Sequence, residues 1–284
     1  MSTIKIGTRG SPLALAQAHM VADLLQRSGQ AETDIVIIKT TGDMVLDRPL
    51  SEVGGKGLFT KEIEAALLDG RIDCAVHSAK DLETVLPAPL MLAAFLPRED
   101  VRDVFIGRGG VTLEDLPSGS VVGTASLRRQ ALVRRARPDL RTEVLRGNVQ
   151  TRLKKLSEGE CDATMLALAG LKRLGKEDVA TQILGTDAFP PALAQGAIAV
   201  QIRRDDAAMA EALVPLNHGA TEVAVTAERG FLSALDGSCR TPIAGLATVD
   251  GGVVALKGLV AKPDGSRFEE MESEGPSEDA ESVG

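Results

Sequence analysis

Ten of the twelve charged residues between Val121 and Lys155 are basic: Arg128, Arg129, Arg134, Arg135, Arg137, Arg141, Arg146, Arg152, Lys154 and Lys155, against Asp139 and Glu143. The whole chain carries 32 Lys+Arg and 40 Asp+Glu, a formal charge of −8, so this surplus is a local concentration. Eight of the ten are arginine, whose planar fork binds two carboxylate or phosphate oxygens at once. The chemistry that such a segment serves is the holding of a ligand with several negative charges. Arg134, Arg135 and Arg137 also fit a solvated helix face, and they are expected at the surface.

Cys239 is the other reactive candidate. It sits in Asp236-Gly237-Ser238-Cys239-Arg240-Thr241-Pro242, where glycine and proline imply a loop and Arg240 would favour the thiolate. A lone loop cysteine can equally be incidental, and spacing alone leaves both readings open. Cys74 and Cys161 fall in or beside apolar strand segments, where free cysteine is usually inert packing. The three cysteines are far apart and show no metal-ligand spacing, which points to a reduced, cytoplasmic protein.

The elements that position these groups follow a repeated plan of short strand, polar turn and helix. Ile4 to Ile6 reads as a strand, then Ser11 as an N-cap with Pro12 at the first helical position. Ile35 to Lys39 and Ile72 to Val76 read as strands, the second running into His77-Ser78-Ala79-Lys80-Asp81. Thr60 opens a helix that Gly70 closes. Val121-Val122, Val144-Leu145 and Thr164 to Leu168 read as further strands, the first leading to a helix at Ser126, the second to one at Asn148 and the third into Gly170 to Leu174. Alternation of this kind implies mainly parallel sheets with ligands at the carboxyl ends of the strands. Arg9, Lys80, Arg128, Arg146 and Arg173 fall at such turns, beside helix N-termini, and are expected to converge on one anion site.

Pro87, Pro89 and Pro97 mark a crossing out of the first unit, and Pro190-Pro191, Gln195 and Gly196 a crossing back. A helix from Thr221 to Leu235 and β-like runs at Ile243 to Val249 and Val253 to Val260 form a small α+β unit. From Asp264 onward acidic residues outnumber basic ones and apolar positions are few, so this tail is expected to pack poorly. With no Trp, no Tyr and 6 Phe, the core must be aliphatic and stacking platforms for single-stranded nucleic acid are lacking. No apolar run approaches the roughly 18 residues of a membrane span, and the first ten residues hold no signal-peptide core.

Several segments together resemble the porphobilinogen deaminase (hydroxymethylbilane synthase) family. They are Thr8-Arg9-Gly10-Ser11-Pro12-Leu13-Ala14, Gly54-Gly55-Lys56-Gly57-Leu58-Phe59, His77-Ser78-Ala79-Lys80-Asp81 and Gly123-Thr124-Ala125-Ser126-Leu127-Arg128-Arg129-Gln130. Leu145-Arg146-Gly147-Asn148, Ala169-Gly170-Leu171-Lys172-Arg173-Leu174-Gly175 and the Cys239 loop continue the series in family order.

The resemblance implies an α/β fold of two periplasmic-binding-protein-like lobes plus a small α+β C-terminal domain. The implied domains are 1–96 with 197–214, 97–196, and 218–284, with two crossovers and the active site between the lobes. It also implies a transferase that adds four porphobilinogen units to a dipyrromethane cofactor. That cofactor is held by a thioether at Cys239, ammonia leaves at each addition, and a linear tetrapyrrole is finally hydrolysed off. Each pyrrole ring bears acetate and propionate, which explains the need for arginines. Loss of ammonia leaves a cationic electrophile whose charge a fixed carboxylate would stabilise.

Carried over position by position, Asp81 is the catalytic aspartate. Lys80, Thr124, Ser126, Arg128 and Arg129 hold the cofactor's carboxylates, with Asp43 a further cofactor contact or simply a turn residue. Arg9, Ser11, Arg146, Arg152 and Arg173 hold the incoming ring and growing chain. Lys56 and Phe59 belong to a glycine-rich loop able to act as a lid, and Gln195 is a hinge or ligand contact. His77 matches no family catalytic role. The implied protein is a cytoplasmic monomer with a small-molecule substrate, no metal, and no nucleic-acid or membrane partner. Two departures from the pattern are Ala194 and Gln201, where glycine and often glutamate are expected. The family's C-terminal helix is also expected to be shortened, since few residues follow Ser277.

Overall fold

A computed structural model describes residues 3–29, 32–44, 57–235 and 241–284. The chain divides into two compact units, residues 1–99 with 197–223, and residues 100–196 with 224–284.

In the first unit β1 (Ile4–Thr8), β2 (Thr33–Ile37), β3 (Cys74–Ser78), β4 (Leu90–Phe95) and β10 (Ile198–Arg203) form one sheet in the order β2-β1-β3-β10-β4. β1 pairs parallel with β2 and β3, whereas β10 pairs antiparallel with β3 and β4. The sheet is therefore parallel in four strands and reversed in one, the strand that re-enters this unit after residue 196. Helices cover both faces, so β3 reads Cys74-Ala75-Val76, buried throughout, without polar alternation. On one face the Pro12–Arg27 helix buries Ala18, Val21, Ala22 and Leu25 against Ile6, Ile198 and Val200. Ser11 starts that helix by accepting a hydrogen bond from the Ala14 N–H, and Pro12 needs no partner there. On the other face the Lys61–Leu68 helix packs Ile63 and Leu67 with Ile38, Ile72 and Leu90.

The second unit repeats the plan. β5 (Asp103–Gly107), β6 (Val121–Gly123), β7 (Arg141–Glu143), β8 (Ala163–Ala167) and β9 (Gln182–Ile183) lie in the order β7-β6-β8-β5-β9. β6 is parallel to β7 and β8, and β5 is antiparallel to β8 and β9. Ser126 caps the Leu127–Ala136 helix, and Asn148 caps the Val149–Ser157 helix. The sequence reading finds β6 and β8, places β7 late at Val144-Leu145 where the chain has already left the sheet, and passes over β4, β5, β9 and β10.

The Gly219–Ala234 helix leads into a three-stranded antiparallel sheet of β11 (Ile243–Asp250), β12 (Val253–Ala261) and β13 (Phe268–Pro276). Ala244, Leu259 and Ala261 of this sheet join the core around Phe105, Leu132 and Met165.

The expectation that residues beyond Asp264 pack poorly is corrected here. β13 pairs with β12 along its whole length, from Phe268↔Ala261 to Pro276↔Val253, and a turn of helix follows at Ala280–Val283. Glu269, Glu270, Glu272 and Glu274 stay exposed while their backbones complete an edge strand. Backbone pairing holds this segment, and acidic side chains on an edge also discourage further strand pairing.

Candidate active site

At the carboxyl end of β1, Arg9 donates from Nε and Nη2 to the two oxygens of Asp43, at 3.1 and 2.5 Å. Thr40 Oγ1 donates to Asp43 at 2.8 Å. Burial pushes the Asp43 carboxyl up, but the hydrogen bonds from Arg9 and Thr40 outweigh it and hold the group below the ordinary range. The Arg9 guanidinium also lies 4.1 Å from the centre of the Phe59 ring, a cation–π contact. Gly42 makes room for that ring, because a Cβ there would stand 2.3 Å from it. Asp43 is thus the residue that aims Arg9.

β3 runs out through His77 and Ser78 into a single 3-10 turn, Ala79–Asp81. Asp81 is exposed, and among the described residues nothing pairs with its carboxylate. Arg9, Ser11, Gln17, Phe59, Thr60, His77, Ser78 and Asp81 line one pocket in this unit. The structure therefore brings together Arg9, Ser11 and Asp81 of the sequence-predicted residues. Lys80 is half-buried beside Asp81 and is not part of that lining.

His77 was placed beside the site from sequence, but its surroundings were not legible. Its Nε2 lies 3.1 Å from Gln201 Oε1, and Gln201 Nε2 donates to Glu64 Oε1 at 3.1 Å. All three side chains are buried. Burial, opposed by the Gln201 hydrogen bond and helped by the Arg9 charge, pushes the His77 imidazole down to about 4.

In the second unit the strand ends carry a different kind of site. Asp103, the first residue of β5, is fully buried between two arginines and a glutamine. Arg128 Nη2 and Arg129 Nη2 each donate to it at 2.7 Å, Arg129 Nε at 3.2 Å and Gln195 Nε2 at 2.9 Å. Three further donor contacts reach backbone carbonyls: Arg128 Nη1 that of Pro190, Arg129 Nη1 that of Met165, and Gln195 Nε2 that of Val101. Burial pushes Asp103 up, but the charges of Arg128 and Arg129 outweigh it and hold it far below the carboxylate range. Burial pushes the Arg128 guanidinium down, against the pull of Asp103. Two guanidiniums against one carboxylate leave the cluster with a net charge of +1. Arg128 Nε is buried with no acceptor.

Around this cluster, Thr124 is buried and accepts from the Ser126 N–H at 3.2 Å. Ser126 Oγ accepts from the Arg129 N–H at 3.4 Å, which fixes the helix start. β7, β6 and β8 are neighbours, and the segments leaving the carboxyl ends of the first two carry Arg146 and the Thr124–Arg129 turn. Arg173, expected beside a helix N-terminus, instead closes the Leu168–Arg173 helix that follows β8. Arg152 Nε donates to Gly147 O at 2.8 Å and Arg173 Nη2 to Gly196 O at 2.6 Å. Gly147 has φ 120, and a Cβ there would meet Thr151 at 2.6 Å, so glycine is required at this turn. The five cations expected at strand ends are distributed two and three, with Arg9 and Lys80 in the first unit and Arg128, Arg146 and Arg173 in the second.

Cys239 and Lys56 lie outside the described residues. The departure at Ala194 has a visible consequence: its φ is 59, where glycine would carry no Cβ penalty. Its N–H is held by the buried carboxylate of Glu228, which also accepts from Ala247 N at 2.8 Å. Asp103 and Glu64 were missed from sequence. An acidic residue opening an apolar strand (Asp103 before Val104-Phe105-Ile106) was the available signal for the first, and its partners lie 25 and 26 residues away. Arg134, Arg135 and Arg137 are outside this cluster, as expected, but they are bound and not simply solvated. Arg134 donates to Pro263 O at 2.6 Å and Arg135 to Glu270 at 2.6 Å, while Arg137 pairs with Asp139 at 2.7 Å.

Among the described residues no helix is long and apolar enough to cross a membrane. Residues 4–211 match the family model described as porphobilinogen deaminase, dipyrromethane cofactor binding domain, and residues 223–284 match that of the porphobilinogen deaminase C-terminal domain. Porphobilinogen deaminases of Nitrobacter winogradskyi and Nitrobacter hamburgensis are each 58% identical over 282 residues, covering 98% of this chain and 89% of theirs. Among solved structures, the periplasmic aliphatic sulphonate-binding protein SsuA of Escherichia coli is a distant match. It shares 15% identity at a TM-score of 0.43, over 83% of this chain and 71% of that one. With both family models matched in order along it, this chain belongs to the porphobilinogen deaminase family.

Proposed function

We propose that Asp81 is the carboxylate that carries the family's deamination in this chain, with Arg9 and Ser11 binding the acidic groups of the ring beside it. The activity is that of a transferase, hydroxymethylbilane synthase: four porphobilinogen units are joined on a covalent dipyrromethane primer with loss of ammonia, and hydroxymethylbilane is released. When bound, the dipyrromethane supplies the pyrrole position at which new rings are joined. Cys239 is the residue we assign to its thioether.

The observation that carries the anion-binding part of this reading is the Arg128–Arg129–Asp103 cluster. It is buried, retains a net positive charge, and has an Arg128 N–H with no acceptor. A group bearing carboxylates fits such a cluster. Lys80, Thr124, Ser126, Arg128 and Arg129 are the residues we assign to that group. Arg146, Arg152 and Arg173 are assigned to the growing chain's acetates and propionates. Asp43 is assigned to the same site through its hold on Arg9.

For catalysis, the leaving ammonia needs a proton and the ring left behind develops positive charge at nitrogen. Asp81, whose carboxylate pairs with nothing among the described residues, is able to stabilise that charge and to move a proton. Arg9 is held by Asp43 and Phe59, so its position does not depend on substrate. We assign residues 1–96 with 197–214, 97–196 and 218–284 as the three domains, and the protein as a cytoplasmic monomer. Free Cys74 and Cys161, both buried, support a reducing compartment.

The test is ammonia release from porphobilinogen together with intact mass of the wild type and Cys239→Ser proteins. The wild type should turn over and carry extra covalent mass that the variant lacks. Equal masses would remove the Cys239 assignment, and absence of ammonia release would remove the catalytic one.

A further inference from the structure

We propose that His77 is a fixed neutral acceptor in the Asp81 pocket, taking an N–H of the incoming ring on Nδ1, and that Gln201 and Glu64 are the positioning residues that lock it in that form. The inference rests on the reading of this pocket as the substrate site.

The argument begins at the buried carboxylate. A carboxylate only accepts, so with Glu64 in that form the Gln201 amide turns its NH2 toward it, in keeping with the 3.1 Å contact. The Gln201 carbonyl oxygen is then presented to His77 at 3.1 Å, and an oxygen there demands an N–H on Nε2. A neutral imidazole with its proton on Nε2 has a lone pair on Nδ1. No described residue bonds to Nδ1, and His77 is among the residues lining the pocket that Arg9, Ser11 and Asp81 also line. The tautomer is thus dictated by Gln201, 124 residues away in sequence, through a chain of polar groups that no local motif encodes.

Neutrality follows from the same surroundings. The Lys61–Leu68 helix presents Glu64, β10 presents Gln201, the residue after β1 is Arg9, and the turn after β3 presents Asp81. Burial and the Arg9 charge disfavour a second proton and hold His77 down at about 4. An imidazolium would repel the substrate's protonated aminomethyl group and the cationic ring formed when ammonia leaves. A neutral acceptor attracts the N–H groups of both. The bland alternative, a satisfied core histidine, accounts for Nε2 but gives Nδ1 nothing to do.

The experiment is nitrogen-15 NMR of the imidazoles, which is tractable because the chain has three histidines. In wild type near pH 7.5, His77 should show a protonated Nε2 and an unprotonated Nδ1, and should keep this pattern down to about pH 5.5, well above its depressed pKa. In the slow Asp81→Asn protein, added porphobilinogen should shift the Nδ1 signal toward that of a hydrogen-bonded nitrogen. Glu64→Gln should blur the pattern into two tautomers, because its amide no longer dictates which way Gln201 turns. In kinetics, His77→Leu should lower kcat/KM by roughly 10- to 100-fold, the scale of one lost hydrogen bond to a charged group, and His77→Asn should restore part of it.

A proton on Nδ1, an imidazolium at neutral pH, or no Nδ1 response to bound porphobilinogen overturns the proposal even where variants fail to fold. Wild-type turnover of porphobilinogen is measured separately, so loss of the site reading and loss of the His77 role give different results.

Discussion

The two five-stranded sheets are built to one plan, with four parallel strands and one reversed strand inside the edge, yet their strand ends carry charge in opposite styles. In the first lobe the charges are accessible. Asp81 is exposed, and Arg9 and Asp43 keep 22% and 31% of their side-chain surface in a single ion pair. In the second lobe Asp103, Arg128 and Arg129 keep 0%, 5% and 6%. An exposed carboxylate is free to exchange protons, whereas a buried and fully engaged one is a structural counter-ion. The same scaffold thus carries accessible charge at one set of strand ends and buried, engaged charge at the other.

The sharpest test of that contrast is catalytic. Asp81→Asn keeps the shape of the exposed carboxylate and removes its charge, so turnover should fall by roughly 10²- to 10⁴-fold, the scale of a positioned acid–base group. Cofactor content and folding should be unchanged. A single-turnover assay on protein already loaded with cofactor checks this, and turnover within about twofold of wild type would sink the role assigned to Asp81.

Stability should show the reverse order. Asp103→Asn leaves two buried guanidiniums without their counter-ion and should cost roughly 3–5 kcal/mol. Asp43→Asn removes the partner of a part-exposed arginine and should cost about 1 kcal/mol or less after solvent screening. Urea unfolding of both variants measures the difference, and equal losses would break the distinction between the lobes.

How much of this was legible in the sequence depends on how local each feature is. Ser11 before Pro12, Ser126 before Leu127 and Asn148 before Val149 announced helix starts that the structure keeps, because a cap is a contact between residues three apart. Arg9, Ser11 and Asp81 were legible through their motifs, and the structure places all three on one pocket. Asp103 was not, because its meaning comes from Arg128, Arg129 and Gln195, up to 92 residues away. β4 and β10 were passed over because prolines and crossovers flank them, and their pairing is wholly long-range. The acidic tail misled because composition records side chains, while β13 is held by backbone pairing to β12.

Acid should separate the lobes a second time. His77 in the first lobe titrates near 4 when folded, against an ordinary 6.5. Between those values the unfolded chain binds a proton that the folded chain refuses, so stability rises with pH across that window. The contribution is complete above pH 6.5 and is lost as pH falls toward 4, a change of about 3 kcal/mol. Asp103, depressed below its ordinary 3.8, keeps its contribution until pH falls beneath that value. Urea midpoints for wild type and His77→Gln at pH 7, 5.5 and 4.5 should therefore converge on acidification, because the variant lacks the titrating ring. Parallel lines would mean that His77 is not the group responsible.

The smallest effect tests where the second lobe's arginine segment stops holding anions. Arg128 and Arg134 lie on one short helix, so a general positive field would make them equivalent. Their contacts say otherwise. Arg128 is buried against Asp103, whereas Arg134 donates to Pro263 O at 2.6 Å and to Thr142 Oγ1 at 2.8 Å. Gly265 approaches the Arg134 Cβ so closely that an added Cβ would stand 3.0 Å from it, which seats the turn between β12 and β13 on this helix. Arg135 adds an ion pair to Glu270 and stacks 4.8 Å from the Phe268 ring. Arg134→Ala should thus cost about 1 kcal/mol of stability through exposed hydrogen bonds, and leave cofactor content unchanged. Arg128→Ala should leave a carboxylate partly unpaired, at roughly 2–5 kcal/mol, and lower cofactor content with it. Ehrlich-type colour per mole of folded protein compares the two directly. Equal loss of colour would show that the helix acts through its summed charge, and the assignment of Arg128 as an individual contact would fall.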